Sequence, residues 1–336
     1  MQELWQIQLQ EAFKKPHDLL DYLGLNAQNY PYQGPSQPWN QNFKTLVPRI
    51  FADKMQAGNP LDPLLRQVLP LPDEDLDPPH LQLSPNPLTE SQFNPVPGIL
   101  HKYAHRALVI ITGACAVHCR YCFRKTFPYA QEQWSKNAQG VLEYIRNNTE
   151  LKEIILSGGD PLSLRTETLA AILEPIAAIP HVGTIRFHTR FPIVIPSRLN
   201  QNLLALFQNL QATRPDLKFV MVLHSNHAQE LCSELKNNIL NFKQRTNLTF
   251  LNQSVLLKSI NNHADTLIAL SEKLFETSIL PYYLHMPDSI IGTAHFQVTD
   301  TEALELMQAL RAALPGYLVP KLVRELPGQA SKYPLV

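Results

Sequence analysis

The chain has 336 residues, 44% of them hydrophobic, and its 29 basic and 29 acidic side chains cancel to a formal charge of zero. That length is enough to bury a large core, as one large domain or two smaller ones. The charge balance gives no reason to expect nucleic acid or an anionic membrane as a direct partner, since both call for a basic excess.

The opening MQELWQIQLQEAFKKPHDLL lacks the basic-then-apolar order of a signal peptide. Trp5, Leu9, Phe13, Leu19, Leu20 and Leu23 suggest one or two short helices. From Pro60 to Pro97 the chain carries ten prolines, which exclude long helices and central strands there. Leu69, Leu71, Leu81, Leu83, Leu88 and Phe93 supply apolar anchors along that run. Residues 1–99 are therefore expected as a helical and proline-rich segment wrapped over the domain rather than as a disordered arm. No run approaches about 20 apolar residues, so no membrane span is expected.

After Leu100 short apolar runs read as strands: 107–112, 153–157, 184–189, 218–224, 248–253 and 280–285. A seventh, 317–323, is interrupted by Pro320. Amphipathic stretches lie between them, at 138–147, 166–178, 199–210, 227–242, 263–277 and 301–314. Strands alternating with helices predict βα units on a parallel sheet. Six units fit a partial (β/α)6-type TIM-like barrel over residues 100–316, followed by a C-terminal segment, 317–336. Sites in such folds gather at the carboxyl ends of the strands. Cys115, Gly158 and Gly159, His224 and Asp288 all fall at such ends.

Three of the four cysteines, Cys115, Cys119 and Cys122, lie within eight positions, directly after the first of these strands. That clustering points to a metal or cluster site in a reducing compartment, hence a cytoplasmic location, rather than to a disulfide framework. Thiolates are soft donors, and a compact loop can wrap three of them around an iron–sulfur cluster, leaving one iron of a cubane open. Zinc is the main competitor and would need a fourth ligand. A redox Cys-x-x-Cys pair leaves Cys115 unexplained, and Phe123 after Cys122 rules out haem attachment. Cys232 falls in an expected helix and reads as core packing.

The C-x-x-x-C-x-x-C spacing, with Tyr121 before the last cysteine, resembles the radical S-adenosylmethionine superfamily. The resemblance implies a 4Fe-4S cluster whose open iron chelates S-adenosylmethionine. Ser157-Gly158-Gly159-Asp160 matches the segment that contacts the methionine amino group in such enzymes. Over residues 95–335 the chain further resembles the lysine 2,3-aminomutase family. The patterns are Lys102-Tyr103 and Arg106, Cys122-Phe-Arg124, Asn252-Gln-Ser-Val-Leu-Leu, Tyr282-Tyr-Leu-His-Met-Pro-Asp288, Gly292-x-x-His-Phe296 and Pro327-Gly328-x-x-x-Lys332. Within that family a chain ending just after Lys332 is similar to the shorter branch, which makes β-lysine for modification of translation elongation factor P.

The resemblance implies pyridoxal phosphate as a second cofactor, with Lys332 as its Schiff-base lysine. Tyr103 and Arg106 match positions beside the cofactor ring and its phosphate. Arg190, His224 and Gln253 match positions near S-adenosylmethionine. Arg124 matches the residue for the substrate carboxylate, and Asp288 and Glu325 match the two acids for the distal ammonium of lysine. The longer branch carries aspartate at the Glu325 position and arginine at the Lys102 position. The implied substrate is free L-lysine, converted to β-lysine. The implied partners are elongation factor P with its lysyl ligase and a flavodoxin- or ferredoxin-type reductant, and a homo-oligomer is compatible with all of this. Two alternatives stand beside this reading: a radical aminomutase for another amino acid, and a non-enzymatic zinc or cluster scaffold.

Overall fold

The computed structural model describes residues 2–335 apart from 27, 29, 31, 38–42 and 330. Among the described residues one sheet of nine strands follows the order of the chain. β1 (Ile99–Tyr103) runs antiparallel to β2 (Arg106–Thr112). From β2 the sheet is parallel through β3 (Glu153–Gly158), β4 (Thr184–Thr189), β5 (Lys218–Leu223), β6 (Thr249–Val255), β7 (Leu280–His285) and β8 (Lys321–Arg324). β9 (Tyr333–Pro334) returns antiparallel on β8. Helices Trp134–Asn147, Thr166–Ala177, Gln201–Thr213, Ser233–Arg245, Ala264–Glu276 and Asp300–Ala313 join the parallel strands. Six strand–helix units and two unjoined edges make a partial barrel, as the alternating pattern predicts.

The period of two along each strand sorts the side chains. Ile154, Leu156, Ile185, Phe187, Phe219, Met221 and Phe250 join helix residues such as Leu169, Phe207 and Phe242 in the main core. The alternate positions, among them Glu153, Arg186, His188, Gln253, Tyr283 and His285, are only partly buried and turn the opposite way. An Arg186–Glu153 ion pair at 2.8 Å links neighbouring strands on that inner face.

Four elements differ from expectation. The last parallel strand starts at Lys321, because Pro320 cannot donate to a ladder and Gly316–Leu318 forms a 3-10 turn. The stretch expected as one helix from His227 begins with a separate turn, Ala228–Glu230. There the Glu230 carboxylate accepts the backbone N–H groups of Asn226 and His227, at 2.8 and 3.0 Å, and the helix proper starts at Ser233. Cys232 consequently sits at the helix N-cap, partly buried against the main core, rather than inside the helix. β1 and β9 are additional short edge strands.

The first hundred residues enter the same core. Trp5 stands edge-on to Phe191 at 5.3 Å and lies beneath the Arg198 guanidinium at 4.8 Å. The proline-rich run forms short 3-10 turns, Leu65–Gln67, Pro72–Asp75, Pro79–Leu81 and Glu90–Phe93, joined by extended chain. Leu69 and Leu71 are buried, while Leu81, Leu83, Leu88 and Phe93 are half-buried. This run also sends polar side chains inward. Glu74 grips Arg120 with two bonds, at 2.8 and 2.6 Å, and the two side chains are 0% and 1% exposed.

Candidate functional site

Cys115, Cys119 and Cys122 stand on the loop that leaves β2, and all three thiols are free. This loop is braced against the β3 exit by backbone alone. Gly159 N–H donates to the Thr112 carbonyl and Asp160 N–H to the Ala114 carbonyl, each at 2.7 Å. A Cβ on Gly158 would collide with the Thr112 carbonyl oxygen, and Gly158 holds φ +122, which favours glycine. The glycines of the Ser-Gly-Gly-Asp segment therefore let two loops pack main chain to main chain. Asp160 is committed to the same task. Its carboxylate accepts Thr189 Oγ1 at 2.6 Å and the N–H groups of Arg190, Phe191 and Leu162 at 2.7, 2.9 and 3.0 Å. Burial nevertheless pushes its carboxyl up to about 6.

Without a cation the surroundings favour the protonated thiols. Burial, then the Asp160 carboxylate and the other two cysteines, push Cys115 well up, and burial with Cys119 raises Cys122 to about 11. A coordinated cation reverses this preference and takes the thiolate. Among the described residues no group of three His, Cys, Asp or Glu side chains is gathered to hold a single metal ion. A cubane asks for one thiolate per iron, and this loop carries three cysteines.

Behind the cysteines lies a polar knot. Arg190 donates to Cys119 Sγ at 2.8 Å and Tyr121 Oη at 2.6 Å through Nη1, and to Gln67 at 2.7 Å and Glu230 at 2.9 Å through Nη2. Its Nε is buried with no acceptor among the described residues. His224 bonds Tyr121 Oη through Nε2 at 2.7 Å and the Gln253 carbonyl through Nδ1 at 2.9 Å. Burial, then Arg190, push it down to about 4, so it stays neutral as a support for Tyr121.

The other half of the mouth is acidic and basic in alternation. Arg124 donates to both carboxylate oxygens of Glu90 and to Ser157 Oγ. Asp288, after β7, is pushed up to about 7 by burial, with Lys332 opposing and Glu325 and Glu90 adding to the rise. Glu325, after β8, takes Lys102 Nζ at 2.7 Å and Tyr103 Oη at 2.5 Å on one oxygen and Lys332 Nζ at 2.9 Å on the other. Burial opposes ionisation there, but Lys332, Lys102 and Tyr103 outweigh it and hold the carboxyl at about 2. Arg106 stacks its guanidinium over the Tyr103 ring at 4.3 Å. Lys332 reaches this cluster because Gly328, at φ +75, turns the chain back and β9 pairs with β8. Its ammonium also lies 5.6 Å from the Tyr283 ring centre.

The structure thus gathers Lys102, Tyr103, Glu325, Lys332 and, by charge, Asp288 at one side, and the cysteines with Arg190, Tyr121 and His224 at the other. Four contributors gave no sequence signal: Glu90, Gln67, Glu74 and Glu230, whose arginine partners Arg124, Arg190 and Arg120 lie far away in the chain. His188 and His285 were also unforeseen. Each has a buried Nε2 without a partner among the described residues. Burial pushes both well below the usual imidazole range, with Arg186, Lys332 and Arg124 adding to it at His188, and Lys332 at His285. Their alternate placement near the ends of β4 and β7 is the signal that would have found them.

Residues 104–190 match the model of a 4Fe-4S single cluster domain. The chain is 44% identical over 334 residues to L-lysine 2,3-aminomutase of Escherichia coli K12, covering 99% of this chain and 94% of that protein. It is 41% identical to the Haemophilus influenzae enzyme of that name and 42% identical to the Buchnera aphidicola one, covering 98% of this chain and 94% of each relative. These likenesses remove the zinc or scaffold alternative. The chain is an enzyme of the radical S-adenosylmethionine type and belongs to the L-lysine 2,3-aminomutase family.

Proposed function

We propose that this enzyme converts free L-lysine to β-lysine, using a 4Fe-4S cluster on Cys115, Cys119 and Cys122, S-adenosylmethionine and pyridoxal phosphate. The single observation that carries the substrate reading is the arrangement of Arg124 against the acids Asp288 and Glu325 around one half-buried mouth. A molecule with a carboxylate at one end and an ammonium at the other fits that polarity, and glutamate would meet two acids.

When bound, the cluster and S-adenosylmethionine supply a radical that removes a substrate hydrogen, and pyridoxal phosphate supplies a conjugated ring through which the amino group moves to the neighbouring carbon. The chain's own residues do the rest. Cys115, Cys119 and Cys122 would hold three irons. The unpartnered Nε of Arg190 offers a donor to a carboxylate beside the cluster, and the Gly158–Gly159 main chain admits close approach. Asp160, His224 and the Gln253 carbonyl act behind this surface by fixing Arg190, Phe191 and Tyr121. Arg106 carries a fork suited to phosphate, and the Tyr103 ring stacks beneath it. Lys332 is the amine for the cofactor aldehyde. Glu325, one oxygen of which stays with Lys102, would take the substrate ammonium together with Asp288. Arg124 takes the α-carboxylate. Burial of His188 and His285 in the neutral form keeps extra cations and water away from the reacting end.

We further infer that the product serves β-lysylation of elongation factor P with its lysyl ligase, in a reducing cytoplasm and with a flavodoxin- or ferredoxin-type reductant. The similarity to the shorter branch and the four free cysteines support this. An anaerobic assay with dithionite, S-adenosylmethionine, pyridoxal phosphate and L-lysine tests the core. β-Lysine is expected, and its absence from enzyme with an intact cluster overturns the proposal. Faster turnover of another amino acid would favour the second reading. Comparing free lysine with lysyl-modified elongation factor P tests the order of the two steps.

A further inference from the structure

An arginine carries five N–H bonds in a planar fork. In Arg124, Nε and Nη2 donate to the two oxygens of Glu90 at 3.0 and 2.6 Å, and Nη1 donates to Ser157 Oγ at 3.1 Å. Among the described residues two N–H bonds are left without an acceptor, one on each terminal nitrogen. That pair matches a carboxylate, provided the guanidinium cannot rotate about its stem. The Glu90 and Arg124 side chains are 15% and 6% exposed, so the contact is shielded and not a loose surface pair.

Glu90 is presented by a strap that is tied down on two sides. Ser84 N–H donates to the Ser289 carbonyl at 2.8 Å and Ile291 N–H to the Ser84 carbonyl at 3.2 Å, beside Asp288. Thr126 Oγ1 donates to the Pro85 carbonyl, and Asn94 bonds the Glu132 side chain, which ties the strap to the loop beyond Cys122. Between these anchors Thr89 holds φ +47, a left-handed conformation that a β-branched residue adopts only at a cost. The turn Glu90–Phe93 follows directly. Such a conformation persists where its surroundings over-determine it, and here it aims one carboxylate at one guanidinium.

We propose that Glu90 is a positioning and specificity residue for the substrate carboxylate. It locks the side edge of Arg124, with Ser157 steadying Nη1, so that the remaining two donors face the substrate as a fixed pair. It also supplies the counter-charge that a shielded arginine needs before substrate arrives. The same negative charge lies close enough to Asp288 to add to the rise of that carboxyl. The inference rests on Arg124 as the carboxylate-binding group.

The test uses anaerobically reconstituted holoenzyme. KM and kcat for L-lysine, the inhibition constant of L-lysinamide and the iron content are measured for wild type, Glu90→Gln, Glu90→Asp and Arg124→Gln. In Glu90→Gln the KM for lysine is expected to rise about tenfold, with the loss falling on KM more than kcat and lysinamide, which has no carboxylate, little affected. Glu90→Asp is expected to recover part of the loss. An unchanged lysine KM in Glu90→Gln overturns the proposal. A lower KM also overturns it and makes Glu90 a plug that competes with substrate. Loss of iron in both Glu90 variants overturns it in favour of a structural brace. If Glu90→Gln alone loses iron, the lysine KM of Glu90→Asp decides: a raised value supports the proposal and an unchanged one overturns it. If Arg124→Gln retains the wild-type preference for lysine over lysinamide, the Arg124 assignment itself has failed.

Discussion

Glu325 and Lys332 face each other at 2.9 Å across the turn that brings the C-terminal tail back to the barrel mouth. The acid expected to receive a substrate ammonium is thus paired with an ammonium of the chain itself, and Lys102 holds its other oxygen at 2.7 Å. The site is charge-balanced before any ligand enters.

Removing that balance has a direct consequence. Glu325→Ala leaves two lysines facing each other and is expected to cost about 1–3 kcal/mol of stability, discounted for partial exposure. It should also loosen β9. Hydrogen exchange along residues 321–335, with a thermal melt, checks both; unchanged exchange there would show that the tail is held by other contacts.

The two acids titrate in different ranges, which separates their roles. The Asp288 carboxyl lies at about 7 and that of Glu325 at about 2. Below pH 7 Asp288 gains a proton and loses its attraction for an ammonium, while Glu325 remains charged. Lysine KM should therefore rise about tenfold from pH 8 to pH 6, the change in the ionised fraction of a group at that value. Asp288→Asn should give a flat, uniformly weaker profile. A wild-type profile without an inflection near 7 removes Asp288 from substrate binding.

Cys115→Ala should abolish iron loading on reconstitution and the visible absorbance of a cluster, while far-ultraviolet circular dichroism stays close to wild type. Cys232→Ser, at a helix N-cap and away from the loop, should load iron normally. Equal iron content in the two variants would contradict the ligand assignment.

The Glu74–Arg120 pair joins the proline-rich run to the cysteine loop inside the protein. Glu74→Gln should destabilise the fold by about 3–5 kcal/mol, because it removes the counter-charge of a buried guanidinium. The double substitution Glu74→Leu with Arg120→Met should recover much of that loss in denaturant titration. Recovery without iron binding would show that the pair shapes the loop more than it stabilises the chain.

Much of this architecture was legible from the chain. The strands at 184–189 and 280–285 coincide with β4 and β7, since apolar runs bounded by turns need no tertiary information. The cysteine spacing was equally local. What escaped was non-local or weakly patterned. β1 and β9 are short edge strands whose existence depends on a partner already in place, and Pro320 made the start of β8 ambiguous. Glu90 touches Arg124 across 34 positions, and Gln67 touches Arg190 across 123, so no window along the chain displays either contact. Asp160 read as a ligand group from its motif, yet its carboxylate is spent on four donors within the fold. A motif locates a residue without saying which of its atoms are free.

Among the described residues β9 meets β8 at two register pairs, Val323 with Pro334 and Arg324 with Tyr333, and Leu335 N–H adds a bond to the Leu322 carbonyl. Lys332 immediately precedes that clasp, so the proposed reactive amine hangs on the least reinforced strand of the sheet. Ends of this kind open on their own, well below the free energy of global unfolding. Weak cofactor retention in a variant that weakens this clasp would then reflect opening of β9 rather than a poor pocket.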